Sequence, residues 1–374
     1  MTAEFGHGLV IGKFYPPHRG HHRLIERAAA RCARLSVVAM AARGETVPLA
    51  DRVAWLRAVH AGDPSITVIG MPCDAPVDLT SATVWAAQEA AIRVALRNFS
   101  TLGVHAVFSN ESYGDELAAR FGAVHVRFDP DRTEVPISAT RVRADLARYW
   151  AELAEPVRAG LAVRVVVVGA ESTGTTTVAQ ALAGHYQARW VPEFGREYTE
   201  IKWARERALA RQRGVAEPEL DAIEWGPADF DLVAREQTRR EEAAAGIGAP
   251  VLVCDTDAFA TMIWERRYLG DAARPARSWA TTELPRRDIY LLTSHEGVPW
   301  HDDGLREGDL AIRAAMTDWF ADALTQAGHS WVLLTGDLGE RVALAVRVVD
   351  YLLAERARFG AAVDQATTLA RPSG

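Results

Sequence analysis

Two histidines three residues apart, His18 and His21, stand in the stretch Gly12-Lys13-Phe14-Tyr15-Pro16-Pro17-His18-Arg19-Gly20-His21. If the second falls in the first turn of a helix, both imidazoles face one spot. Gly12 and Gly20 let the backbone come close to a ligand. A helix N-terminus adds free N–H groups and the positive end of its dipole. Such a turn suits a polyphosphate, and it can stabilise the charge that builds up when a phosphoryl oxygen is displaced. The elements that must hold it lie on either side. Leu9-Val10-Ile11 reads as a short buried strand, and Leu24, Ile25, Ala28, Ala29 and Cys32 follow with helical spacing.

A second stretch, Pro136-Ile137-Ser138-Ala139-Thr140-Arg141-Val142-Arg143, puts a capping serine ahead of two arginines. Basic side chains at a helix start oppose the dipole and call for an anion there. Alone, the stretch reads as a capped surface helix with solvated arginines. Together the two stretches carry a resemblance. Gly12-x-Phe14-x-Pro16-x-His18-x-Gly20-His21 resembles the signature of the nucleotidyltransferase superfamily that contains the nicotinamide-mononucleotide adenylyltransferases. Ile137-Ser138-x-Thr140-x-x-Arg143 resembles that superfamily's second signature. The resemblance implies an ATP site formed by Gly12, Phe14 and Gly20. It implies that Lys13, His18 and His21 handle the ATP phosphates, and that Ser138, Thr140 and Arg143 hold the β- and γ-phosphates. The substrate's own phosphate would attack the α-phosphorus directly. Between the signatures, Phe108-Ser109-Asn110-Glu111-Ser112-Tyr113-Gly114 and Asp129-x-x-Arg132 resemble the adenylyltransferase domain of the bifunctional NadR family. Trp85 is then a candidate to stack on a nicotinamide ring, because a pyridinium is a cation and Trp offers the best aromatic face for one. Core packing explains a single helical Trp equally well.

A second nucleotide site follows. The β-branched run Val163-Arg164-Val165-Val166-Val167-Val168 leads into Gly169-Ala170-Glu171-Ser172-Thr173-Gly174-Thr175-Thr176-Thr177 and then a helix. Gly169, Gly174 and Thr176 fit the strand–loop–helix pattern G-x-x-x-x-G-K-[ST]. Backbone N–H groups of such a loop cradle a β-phosphate, and the Thr176 hydroxyl is placed for Mg²⁺. Thr175 stands where the pattern has lysine, the cation that spans the β- and γ-phosphates. Arg196 or Arg306 could reach in instead, the site could bind nucleotide without fast turnover, or it could have lost activity. Asp255 and Asp257 end the buried strand Val251–Asp257, where carboxylates suit Mg²⁺ coordination or proton abstraction from a hydroxyl. Glu193, Arg196 and Glu197 follow another strand, and Asp302, Asp303 and Arg306 lie in a polar turn. These segments resemble the nicotinamide riboside kinase domain of the NadR family in all but the loop lysine. The resemblance implies riboside hydroxyls held by acidic residues, with Glu193, Glu197, Asp255 and Asp257 the candidates. Arg196, Asp303 and Arg306 would lie at the same site, the last two in a lid-like turn. Which carboxylate is base and which binds metal stays open.

Strands alternating with helices predict α/β architecture with parallel sheets, a Rossmann-like nucleotidyltransferase fold followed by a P-loop kinase fold. At 374 residues two domains are expected: 1–150, a linker 151–160, 161–358, and a tail 359–374. Composition is that of a globular protein, with no apolar run long enough to cross a bilayer and no signal pattern at Met1–His7. Cys32, Cys73 and Cys254 are scattered and in no metal-ligand spacing, which fits a reducing, cytoplasmic compartment. A net charge of −7 argues against nucleic acid as a partner. Family members from enteric bacteria carry an N-terminal DNA-binding helix-turn-helix; about seven residues precede the first strand here, so that role is not implied. The expected partners are ATP with Mg²⁺, nicotinamide mononucleotide, nicotinamide riboside and NAD, with homo-oligomerisation left open. The expected function is NAD salvage by both domains. One alternative keeps adenylyl transfer and makes the P-loop domain a nucleotide-binding regulator, because of Thr175. Another is a nucleotide sensor without turnover. The first motif alone also admits another adenylyl acceptor, such as phosphopantetheine.

Overall fold

A computed structural model describes residues 3–74, 80–99, 102–129, 133–274, 284–299 and 310–360. The chain forms two compact units, Met1–Gly160 with Arg356–Gly374, and Leu161–Glu355.

The first unit runs β1 (Gly8–Gly12), α1 (Arg19–Ala29), β2 (Leu35–Ala41), α2 (Leu49–Val59), β3 (Ile66–Pro72), α3 (Ala82–Arg97), β4 (Ala106–Phe108), α4 (Tyr113–Phe121), β5 (Val124–Val126), α5 (Ala139–Ala144) and α6 (Glu155–Leu161), whose last residue begins the second unit. Its sheet has the order β3-β2-β1-β4-β5, with every pair parallel. Successive residues feed opposite faces, as a sheet covered on both sides requires. Val10, Val37 and Phe108 pack with Ile25 and Leu56. Leu9, Val38 and Val107 pack with Ile92 and Leu117 on the other side. The strand order reverses between β1 and β4, and that reversal opens a crevice at their carboxyl ends. The stretch expected to be a linker is largely helical, since α6 covers most of it.

The second unit runs β6 (Val163–Gly169), α7 (Thr175–Tyr186), β7 (Arg189–Val191), α8 (Phe194–Arg213), α9 (Pro227–Ala245), β8 (Val251–Asp255), α10 (Ala258–Leu269), β9 (Ile289–Thr293), α11 (Leu310–Gln326), β10 (Trp331–Leu334) and α12 (Leu338–Arg356). Its sheet is also parallel, in the order β10-β9-β6-β8-β7. Every residue of β6 is buried, which fits its continuous β-branched run at the centre of the sheet. The helices α10 and α11 go beyond the sequence expectation. Their apolar residues surround much of the circumference, so no one-sided 3.6-residue pattern marks them. Beyond α12, Phe359 and Gly360 belong to the first unit, with the Phe359 ring edge-on to Tyr15 at 5.4 Å between centroids.

Candidate active sites

His18 is the N-cap of α1, and the cap is built from imidazoles. The Gly20 N–H donates to His18 Nδ1 at 3.1 Å, and the His18 N–H donates to His21 Nδ1 at 3.3 Å. This is a reciprocal capping box with histidine in both roles. It fixes chemistry as well as geometry. With each Nδ1 lone pair accepting a backbone hydrogen bond, each neutral ring carries its proton on Nε2. The two rings stack with centroids 3.8 Å apart and 29° between planes. Both residues line a cavity of about 520 Å³ at the carboxyl ends of β1 and β4.

Lys13 and Arg143 line the same cavity, and so do Gly12, Phe14, Gly20, Ser138 and Thr140. The two stretches the sequence separates by more than a hundred residues therefore meet around one space. Ser138 caps α5 by accepting from the Arg141 N–H at 3.3 Å. Arg143 donates to the Tyr15 carbonyl at 2.8 Å and to the Thr140 hydroxyl at 3.3 Å. Lys13 Nζ lies 3.2 Å from Glu45, whose side chain is fully buried. The same carboxylate accepts from buried Arg52 at 2.6 Å, so one negative charge faces two cations and the group stays net positive. Arg52 also donates to the Lys13 carbonyl at 3.0 Å and fixes the loop backbone. Burial opposes the Arg52 charge, and the Glu45 carboxylate sustains it. Glu45 and Arg52 escape a sequence reading; an arginine four residues after Pro48 in a helical pattern reads as solvated.

Trp85 reaches the cavity wall but is chiefly core, 4% exposed and packed among Leu9, Val38, Ile69 and Ile92. The Arg120 guanidinium lies over its ring at 5.6 Å. Asp129 accepts from the N–H groups of Thr133, Glu134 and Val135, which sets the course of the chain into the Ser138 cap. Arg132 lies outside the described residues.

In the second unit the loop from Gly169 to Gly174 joins β6 to α7. Gly169 has no room for a side chain, because a Cβ there would lie 2.1 Å from Thr293 Oγ1 and 2.6 Å from Thr173 Oγ1. Thr173 closes the loop on itself, donating to the Ala170 carbonyl at 2.7 Å. Ser172 holds a left-handed φ of 51°, the strained backbone typical of loops that turn their N–H groups inward. Two buried arginines grip the loop from behind. Arg313 donates to the carbonyls of Glu171 at 3.1 Å and Ser172 at 3.0 Å, and Arg341 donates to that of Thr173 at 3.0 Å. Three consecutive loop carbonyls are thus held by guanidinium groups. Thr175 begins α7, and its methyl carbon would lie 3.1 Å from a Cβ at Gly169. Thr176 donates to Asp255 at 2.6 Å, placing a hydroxyl and a carboxylate together at the mouth of the loop. Hard oxygen donors of this kind suit Mg²⁺. Among the described residues no cluster of three or more His, Cys, Asp or Glu forms a metal cage, so such an ion would take its remaining ligands from phosphates and water.

A small cavity of about 50 Å³ lies beside this loop unit, lined by Glu193 and Arg196, with Gln237 and Thr256 in the wall. Thr256 sits between the two aspartates with φ 71°, another strained residue at a functional edge. One side of the wall is aromatic: Trp225 and Tyr268 stack at 5.3 Å and 24°, with Phe230 and Trp264 also in the lining. This group escapes the sequence reading because its members come from two stretches some thirty residues apart, 225–230 and 264–268.

Two of the expected riboside ligands point elsewhere. Glu197 forms a two-point ion pair with Arg240 at 2.6 and 3.0 Å on the surface of α8. Asp257 is fully buried and fully used: it caps α10 through the Ala260 N–H at 3.0 Å and accepts from Arg287 at 2.9 Å and Tyr290 at 2.8 Å. A helix cap competes with a ligand for the same oxygens. Arg287 also pairs with buried Glu241. Two buried carboxylates thus share one guanidinium. Burial, with Asp257 adding its charge against the Arg287 attraction, pushes Glu241 up to about 8. Asp303 and Arg306 lie outside the described residues.

Comparison with known proteins agrees with this division. Residues 9–145 match the cytidylyltransferase-like family, and residues 164–341 match the AAA domain family. The trifunctional NAD biosynthesis/regulator protein NadR of Salmonella typhimurium is 23% identical over 363 residues, taking in 93% of this chain and 84% of that protein. The chain is an NadR homologue. Two solved NadR structures share the fold along nearly the whole length. An NadR protein in complex with NR matches with a TM-score of 0.66 and 21% identity, covering 95% of this chain and 97% of the other. An NadR protein in complex with NAD and AMP-PNP matches with a TM-score of 0.64 and 21% identity, covering 94% and 98%. Both halves of the NadR fold are therefore present, a cytidylyltransferase-like unit and a P-loop unit.

Proposed function

We propose that the first unit transfers AMP from ATP to nicotinamide mononucleotide, giving NAD and pyrophosphate. A phosphate oxygen of the mononucleotide forms the new bond to the α-phosphorus. The bond from that phosphorus to the bridging oxygen breaks, and pyrophosphate leaves with the electron pair. The observation that carries this reading is the convergence of His18, His21, Lys13 and Arg143 on one cavity. The two imidazoles donate from Nε2 to phosphate oxygens as charge shifts toward the leaving group. Lys13 and Arg143 supply the positive charge. Trp85 borders the space where the nicotinamide ring would lie.

The second unit, on the same proposal, phosphorylates nicotinamide riboside to that mononucleotide. The loop from Gly169 to Thr177 binds ATP through backbone N–H groups. Thr176 and Asp255 are the residues that would hold Mg²⁺, and the ion would supply charge neutralisation on the phosphates. Glu193 and Arg196 address the riboside, and the aromatic wall of Trp225 and Tyr268 suits a pyridinium cation. The relatives named for NAD biosynthesis, and the NadR structures holding NR, NAD and AMP-PNP, support both assignments. Thr175 favours a second reading for this unit, in which ATP binds without transfer. Product analysis separates the two. Mg-ATP with the mononucleotide is expected to yield NAD and equimolar pyrophosphate, and Mg-ATP with the riboside is expected to yield NAD as well. NAD from the mononucleotide alone would leave the P-loop unit as a nucleotide-binding module, and NAD from neither would overturn the assignment.

A further inference from the structure

Tyr15 belongs to neither signature, yet it is the most heavily anchored residue of the loop between β1 and α1. It is fully buried. Its ring lies between two guanidinium groups, Arg52 at 4.3 Å and Arg143 at 5.3 Å, and its carbonyl accepts from Arg143 at 2.8 Å. Its hydroxyl reaches Thr46 Oγ1 at 2.8 Å and the Gly360 carbonyl at 3.3 Å, while the Gly360 N–H donates to Thr46 Oγ1 at 3.4 Å. These three contacts close a ring. The Gly360 N–H donates to the threonine oxygen, the tyrosine hydroxyl reaches the Gly360 carbonyl, and the threonine and tyrosine hydroxyls share the third hydrogen bond. The Phe359 and Tyr15 rings meet in a T-shaped contact, 5.4 Å between centroids and 86° between planes. Gly360 also lies against the connection between β2 and α2, where a Cβ on it would come within 2.0 Å of the Gly44 carbonyl oxygen; Thr46, in the same connection, links it to the Tyr15 hydroxyl.

The loop needs holding. Phe14, directly before Tyr15, has φ 48°, a left-handed conformation that a bulky side chain adopts only when its surroundings enforce it. The Phe14 ring in turn packs on His21 at 5.0 Å. Lys13 precedes it and His18 follows, so a shift at Tyr15 moves both. Phe359 and Gly360 lie outside the spans that match the two families, 9–145 and 164–341.

We propose that residues 357–360 are a strap that positions the β1–α1 loop for adenylyl transfer, with Phe359 and Gly360 acting through Tyr15. They touch no substrate and are positioning residues. The proposal rests on the adenylyltransferase reading of the first unit only for its kinetic consequence. The test uses Phe359→Ala and Gly360→Val in the full chain. Hydrogen exchange of the Lys13, Phe14, Tyr15 and His18 amides is measured first and is expected to speed up about tenfold or more as the loop loosens. The kcat for NAD formation from the mononucleotide is expected to fall about 10- to 100-fold, as small misplacements of catalytic groups do. Riboside phosphorylation and the thermal midpoint stay at wild-type values, and Phe359→Tyr retains kcat. Wild-type exchange in both variants would overturn the proposal, and so would wild-type kcat in both. If the wild-type protein itself makes no NAD, the adenylyltransferase reading fails separately, and the exchange result alone decides the strap.

Discussion

The two nucleotide loops in this chain solve one problem with opposite materials. The first gathers side-chain donors, two stacked imidazoles, an ammonium and a guanidinium, around one cavity, and on the proposed reading these meet the phosphates. The second spends its buried guanidinium groups, Arg313 and Arg341, on holding the loop carbonyls, and on the proposed reading its backbone meets the phosphates. A loop built from side chains fails when one side chain is removed. A loop built from backbone depends on being held in shape, and tolerates the loss of a side chain at its centre. On the proposed reading, Thr175 in the place of lysine weakens the second loop without abolishing it.

His18→Ala breaks the first half of this contrast most sharply. Removing one preorganised donor is expected to lower kcat for adenylyl transfer by about 10²- to 10³-fold. Riboside phosphorylation by the same protein should be unchanged; a parallel loss in both would mean that the variant had disturbed the whole fold. Asp255→Asn should lower riboside phosphorylation by about 10²-fold, by removing the carboxylate partner of Thr176, while NAD formation from the mononucleotide persists. Thr175→Lys is the sharpening experiment. If a missing cation is what separates the loops, it should tighten ATP binding to the second unit about tenfold, equivalent to about 1.4 kcal/mol, in a calorimetric titration. No change would mean that another cation already occupies the role.

The smallest effects concern stability, and they run in opposite directions with pH. In the first unit, buried His22 faces His60 at 3.1 Å, and burial, helped by the neighbouring imidazole, holds His22 down to about 4. The unfolded chain takes up that proton near 6.5, so this unit loses stability as pH falls from about 6.5 toward 4, by about 3 kcal/mol at most. In the second unit Glu241 keeps its proton up to about 8 when folded but ionises near 4.5 when unfolded. That contribution is full below 4.5 and is lost as pH rises through 8. Scanning calorimetry of His22→Phe and Glu241→Gln should flatten the acid and alkaline slopes respectively, each by a few degrees in midpoint.

The grouping of Gly12, Lys13, His18 and His21 with Arg143 around one cavity was legible because these residue types stand in close order in two short stretches, and the strand and helix beside the first have clean periodicity. The parallel sheets were legible for the same reason, since β6 reads as a buried strand on composition alone. The second site was legible at its loop and less so around the riboside. Glu197 and Asp257 have the right chemistry but are engaged by Arg240 and by a helix cap, and local sequence does not reveal partners distant in the chain. The arginines behind the loop and the aromatic wall were hidden for the same reason. Phe359 and Gly360 read as tail because nothing nearby in sequence holds them; their partners are Tyr15 and Thr46.

The most direct test of two independent loops in one chain is a product analysis of the His18→Ala protein given Mg-ATP and nicotinamide riboside. The account predicts that nicotinamide mononucleotide accumulates and NAD does not, since the backbone-built site runs while the side-chain-built site is broken. NAD at the wild-type rate would mean that His18 is not in the adenylyl-transfer site. Absence of the mononucleotide, with the variant folded and the wild type equally unable to make it, would mean that the P-loop unit binds nucleotide without transferring phosphate.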